Sequence, residues 1–159
     1  MRQVESAEEL RRVYAAMVRE DSLRLCFPFE PFSKGKFVHM MSSFNICFVC
    51  YYGGRLSGFV WLNRMEHKTC RINFCSFEPS RGIIIAGLRE SLTRIWKHFP
   101  PGREGSPEVF LSYVLESNTM SAKAAEKCGF TYVGLIPDYY GIGVNVKVYS
   151  SSRKRSITR

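Results

Sequence analysis

Asn118-Thr-Met-Ser-Ala-Lys-Ala-Ala-Glu-Lys-Cys-Gly-Phe130 is the stretch on which the fold turns. A strongly β-type run, Glu108 to Leu115, precedes it, and a second, Phe130 to Ile136, follows. The sequence between them reads as a polar turn, a short helix and a glycine stop. Asn118 or Thr119 can cap the helix, because a short polar side chain there accepts a hydrogen bond from a first-turn N–H. Gly129 stands where a helix end needs a left-handed residue. Ala122, Ala124 and Ala125 give a slim helix that can lie close to a sheet or a ligand.

Composition sets the frame around this segment. At 159 residues, 45% of them hydrophobic, the chain suits one domain with a core of its own. The expected organisation is a single domain over residues 1–150 and a basic, disordered tail over 151–159. The longest apolar stretch, Gly82 to Leu88, is too short to span a bilayer, so no membrane partner is expected. The polar start, Met1-Arg-Gln-Val-Glu-Ser6, lacks the apolar core of a signal peptide, and the expected location is cytoplasmic.

The net charge is +9, and Arg153, Lys154, Arg155 and Arg159 supply four of those charges, leaving +5 for the rest. A basic tail can attract nucleic acid, but a solvated tail accounts for it as well. The remaining positive balance suits an anionic ligand. Six cysteines, with no export signal, read as reduced thiols. Cys47 and Cys50 have C-x-x-C spacing, yet they lie in a strand pattern, where residues three apart point to opposite faces. They are read as core residues, and no metal is expected.

Working outward, Ser6-Ala-Glu-Glu9 reads as a capping box opening a helix to about Arg19, with Leu10, Val13, Tyr14 and Met17 on one face. Cys26 to Phe32, broken by two prolines, reads as a loop with anchoring aromatics. A further helical piece covers Gly35 to Met41. Three strands follow, Asn45 to Tyr52, Arg55 to Met65 and Lys68 to Phe77, the first two joined by the Tyr52-Gly-Gly-Arg55 turn. A long helix from Arg81 or Gly82 to Phe99 carries Ile85, Leu88, Leu92, Ile95 and Trp96 at helical spacing and stops at Pro100-Pro101-Gly102. Gly141 to Tyr149 supplies the last strand. A strand, long helix and strand crossover between residues 68 and 115 should give a parallel pair.

In the order Asn-x-x-Ser-x-x-x-Ala-Glu-Lys-x-Gly-Phe, residues 118–130 resemble the late motif of the GNAT superfamily of N-acetyltransferases, closest to the branch that resembles ribosomal-protein N-terminal acetyltransferases. The element order over residues 5–149 is similar to that family's as well. The resemblance implies an α/β (α+β) fold: a central mixed, mostly antiparallel sheet with a splayed parallel strand pair, flanked by helices. It also implies acetyl-CoA as co-substrate and transfer of its acetyl group to a primary amine by direct attack in a ternary complex.

The same resemblance assigns the site. The pyrophosphate would meet the start of the long helix, at Arg81, Gly82, Ile83, Ile84, Ile85 and Ala86, where free N–H groups and the positive dipole end favour an anion. The family's central glycine there is Ile84 in this chain. A backbone N–H of Ser76 or Phe77 would meet the oxyanion. Asn118 would lie near the pantetheine, and Ser121 would hydrogen-bond the departing thiolate, since the family's frequent tyrosine is Ala125 here. Ser121 can equally be a first-turn residue bonding its own backbone. The family's strand glutamate is Arg71, which leaves Glu116 as the candidate proton acceptor. Phe29, Phe32, His39, Tyr139 and Tyr140 would line the acceptor pocket. A catalytically inactive binding module on the same fold is the alternative, and a basic nucleic-acid-associated protein a third.

Overall fold

In the computed structural model, residues 1–27, 33–77 and 84–153 are described. Phe29, Phe32, residues 81–83 and the tail from residue 154 lie outside them. The chain falls into two compact units, Met1–Asn63 with Asn73–Ile84, and Arg64–Ile72 with the residues from Ile85 onward. Among the described residues seven strands form one sheet, in the order β1-β2-β3-β4-β5-β7-β6: β1 (Arg2–Gln3), β2 (Ile46–Tyr52), β3 (Arg55–Glu66), β4 (Thr69–Ser76), β5 (Val109–Leu115), β6 (Thr131–Ile136) and β7 (Val146–Ser152). The helices are α1 (Ala7–Arg19), α2 (Ser22–Cys26), α3 (Lys34–Phe44), α4 (Ile84–His98) and α5 (Thr119–Lys127). Among the described residues no helix is long and apolar enough to cross a membrane.

In the first unit, the Ser6 hydroxyl accepts from the Glu9 N–H at 3.3 Å, as the capping pattern predicts. The Glu9 carboxylate, however, pairs with Arg2 and accepts from the Glu5 N–H instead of closing the box on Ser6. Leu10, Val13 and Met17 of α1 meet Phe37 and Met41, one turn apart on α3, in a cluster that also takes Cys47, Val49, Phe59, Trp61, Cys75 and Phe77. The strand members are alternate residues, so they share the face of the sheet that these helices cover, while Phe48, Val60 and Leu62 are buried on the other. Gly53 and Gly54 both have positive φ, which the two-residue turn between β2 and β3 requires. Two elements depart from expectation. The short α2 has no sequence signature, starting from Asp21 in the left-handed region without a side-chain cap. Helix α3 runs on to Phe44.

In the second unit, β4 pairs with β5 in parallel at Thr69–Arg71 against Val109–Leu111, as the crossover predicts. Strand β5 then pairs antiparallel with β7 along its whole length, and β6 closes the edge. Phe110, Ser112 and Val114 on one face of β5 are buried, and Trp96 of α4 stacks against Phe110 at 4.0 Å. Leu111, Tyr113 and Leu115 on the other face are half-buried.

The last strand starts later than the sequence suggests, at Val146 rather than Gly141. Residues 138–145 instead form a turn. The Asp138 carboxylate accepts from the Gly143 N–H at 2.6 Å, and the Asp138 N–H donates to Asn145 Oδ1 at 3.1 Å. Those local bonds outcompete a strand ladder. Strand β7 also runs past residue 150 to Ser152, and the Arg153 N–H donates to the Glu108 carbonyl at 3.1 Å. The Arg153 guanidinium donates to the Phe99 carbonyl and lies 4.9 Å from the Trp96 ring.

Candidate active site

Helix α5 is built as its sequence suggests. Asn118 is the N-cap, its Oδ1 accepting from the Ser121 N–H at 3.0 Å. At the other end the Gly129 N–H reaches the Glu126 carbonyl and the Phe130 N–H reaches that of Ala125, the paired bonds of a Schellman stop with Gly129 at φ 89°. Arg89 of α4 donates to the Lys127 carbonyl from Nε and Nη2, at 2.9 and 2.6 Å, satisfying a last-turn oxygen. Ala122, Ala124 and Ala125 are buried, so the slim face packs inward. Burial pushes the Cys128 thiol up to about 11, against a lowering by Arg89, so it stays protonated near neutral pH.

The two polar side chains of the motif are poised differently. Asn118 spends its oxygen on the cap, which fixes the amide and leaves Nδ2 as a donor. Ser121 is half-buried, and its hydroxyl makes no hydrogen bond among the described residues. It is therefore not bonded back to its own helix. Glu116, just past β5, is exposed; its Oε2 accepts from Asn145 Nδ2 at 2.8 Å and its N–H donates to the Asn145 carbonyl at 3.0 Å. Glu116 thus holds the turn that carries Tyr139 and Tyr140. Asn145, the hub of that arrangement, has no sequence signal beyond its place before a strand.

At the end of β4 one expectation fails. The Phe77 N–H donates to the Ser57 carbonyl at 2.8 Å, so it is not available to an oxyanion. Successive N–H groups of a strand point to opposite edges, so the Ser76 N–H points to the edge away from Ser57. Of the helix-start residues, Ile85 is half-buried and Ala86 exposed; Ile84 opens α4, and Arg81, Gly82 and Ile83 lie outside the described residues. His39 lies on the exposed side of α3, its Nδ1 3.4 Å from the Ser43 hydroxyl and its ring against Phe44. Phe29 and Phe32 lie outside the described residues.

Tyr139 and Tyr140 do come together, around Arg71. Arg71 is 9% exposed. Its guanidinium lies 4.1 Å from the Tyr113 ring and 5.8 Å from that of Tyr139, and its Nη2 donates to the Tyr140 hydroxyl at 3.0 Å. The Tyr139 ring lies tilted against that of Tyr113, centroids 5.5 Å apart, and its hydroxyl accepts from Arg64 Nη1 at 3.4 Å. The Arg71 Nε is buried without a hydrogen-bond partner, and no carboxylate among the described residues pairs with it. A buried donor left unpaired costs about 1–3 kcal/mol, more for a charged group. Tyr113 and Arg64 were not singled out from sequence; the ladder Arg71↔Leu111 sets Tyr113 diagonally across the strands from Arg71.

This strand order, with one parallel pair and a capped helix between β5 and β6, is the fold of the GNAT N-acetyltransferases. Solved structures of that fold superpose over nearly all of the chain. Spermidine N-acetyltransferase from Vibrio cholerae, in complex with CoA and spermine, is 16% identical, with 99% of this chain and 96% of that one covered and a TM-score of 0.75. The acetyltransferase from Salmonella typhimurium that modifies the N-terminal serine of ribosomal protein L7/L12 is 15% identical, covers 92% and 91%, and has a TM-score of 0.73. The microcin C7 self-immunity acetyltransferase MccE, in complex with acetyl-CoA and AMP, is 16% identical, covers 92% and 88%, and has a TM-score of 0.71. No protein-family model and no curated protein sequence matches the chain.

Proposed function

We propose that this protein is an acetyl-CoA-dependent N-acetyltransferase acting on a primary amine in a ternary complex. The observation that carries the reading is the Ser121 hydroxyl, which makes no hydrogen bond among the described residues and stands on a helix locked by the Asn118 cap, on a GNAT fold. Acetyl-CoA supplies the activated acetyl thioester.

The residues divide the work by what each still has to offer. Residues 81–86 hold the pyrophosphate at the start of α4. Asn118 donates from Nδ2 to the pantetheine amide groups, and the Ser76 N–H, on the edge of β4 turned from Ser57, takes the oxyanion role. Ser121 donates a hydrogen bond to the sulfur that accepts the electron pair of the breaking C–S bond. The attacking amine must be neutral, and Glu116, directly or through water, takes the proton released as the C–N bond forms. Tyr139 and Tyr140 line the acceptor side. No membrane or nucleic-acid partner is needed.

A second reading, a GNAT-fold module that binds without transferring, is favoured by Ile84, Ala125 and Arg71, each replacing a residue type the family uses. Incubation with acetyl-CoA and a panel of small amines, aminoglycosides and peptide N-termini separates the two. The first requires CoA release matched by a mass increase of one acetyl group on an amine. No release above the protein-free blank with any amine favours the second.

A further inference from the structure

We propose that the cage of Arg71, Tyr113, Tyr139 and Tyr140 is a carboxylate-binding site, and that the amine this protein acetylates carries a carboxylate. The assignment of the bound molecule as the acceptor rests on the acetyl-transfer reading; the carboxylate site itself does not.

A guanidinium presents five donors in a rigid plane, and two parallel ones match a carboxylate. In Arg71 one donation, from Nη2, goes to the Tyr140 hydroxyl, which anchors the plane without neutralising it. The Nε has no partner among the described residues although it is buried. The tyrosine rings attract the cation through their faces but supply no countercharge. A cation buried as deeply as Arg71 ordinarily carries an acid beside it. Here the missing charge is one unit, which a carboxylate supplies and a polyamine cannot.

Two further features make the cage a site rather than an accident of packing. The residues that form it come from two neighbouring strands in fixed register and from a turn bonded at both ends, by Asp138 to Gly143 and by Asn145 to Glu116. Arg64 approaches the Tyr139 hydroxyl as a donor, adding a second positive charge to the same cluster.

The test compares acids with their amides on the whole protein. Calorimetry with N-acetyl-amino acids, as product analogues, should show binding at least tenfold tighter than for the matching N-acetyl-amino-acid carboxamides. Arg71→Gln should abolish that preference while leaving acetyl-CoA affinity unchanged. In transfer assays, free amino acids should exceed their carboxamides tenfold or more in kcat/KM, chiefly through KM. Equal binding of acid and amide by the wild-type protein, which needs no variant to fold, would overturn the proposal. So would a preference that survives Arg71→Gln, or spermidine as the preferred acceptor. Carboxylate binding at Arg71 without any acetyl-CoA binding would uphold the site and remove only the acetyl-transfer reading.

Discussion

Strand β4 passes through two environments that obey different rules. Toward its end, Cys75 and, just beyond, Phe77 enter a dry cluster of Phe37, Phe59, Trp61 and Met41, where size and alternation are all that matter. Toward its start, Arg71 is almost as buried but sits among tyrosines with one hydrogen bond and an unanswered charge. The first environment is complete within the protein. The second is held in shape by polar bonds, yet its charge is balanced by nothing among the described residues. The difference separates a part of the molecule that stabilises the fold from a part arranged for something to bind.

The largest effect should come from the dry end. Phe37→Ala removes a fully buried ring and should cost about 3–5 kcal/mol of stability, read from denaturant midpoints. A loss below about 1 kcal/mol would show that the cluster is loosely packed. Next, Ser121→Ala should lower turnover by about tenfold to a thousandfold with little change in acetyl-CoA affinity. Unchanged turnover would remove Ser121 from the mechanism.

Arg71→Met addresses the comparison itself. Replacing an unpaired buried charge by an apolar side chain of similar length is often neutral or stabilising, so the change in stability should stay within about 1 kcal/mol of zero or be a gain. A loss of the size expected for Phe37→Ala would mean that Arg71 supports the fold as the core residues do.

The smallest effect is a pH dependence. Burial pushes the Glu9 carboxyl up, but the Arg2 hydrogen bond, the Glu5 N–H and the Tyr51 hydroxyl outweigh it and leave Glu9 below its ordinary 4.5. A depressed carboxylate adds stability that is present above the unfolded value and is lost as pH falls through the folded one. Wild type and Glu9→Gln should therefore differ in urea midpoint at neutral pH and converge in acid, below pH 4.5. A difference that persists in acid would contradict the charge-based account.

The contrast also marks what the sequence could disclose. The cap at Asn118, the glycine stop at Gly129, the Gly53-Gly54 turn and the alternating strands were readable because each rests on contacts between near neighbours. The free edge of β4 was not, since which N–H bonds Ser57 depends on pairing, and Phe77 proved to be the one engaged. The turn before β7 looks like a strand in sequence because Ile142 and Val144 mimic strand alternation, whereas the Asp138 carboxylate folds the backbone back on itself. The cage around Arg71 was hidden for the same reason on a larger scale. It requires the register between β4 and β5 and a distant turn, and the sequence shows only an arginine within a strand pattern.

The most direct test of the central claim, acetyl transfer on a GNAT fold, is calorimetric titration of the wild-type protein with acetyl-CoA. The account predicts saturable binding of one equivalent in the micromolar range. Absence of binding at millimolar acetyl-CoA would contradict it.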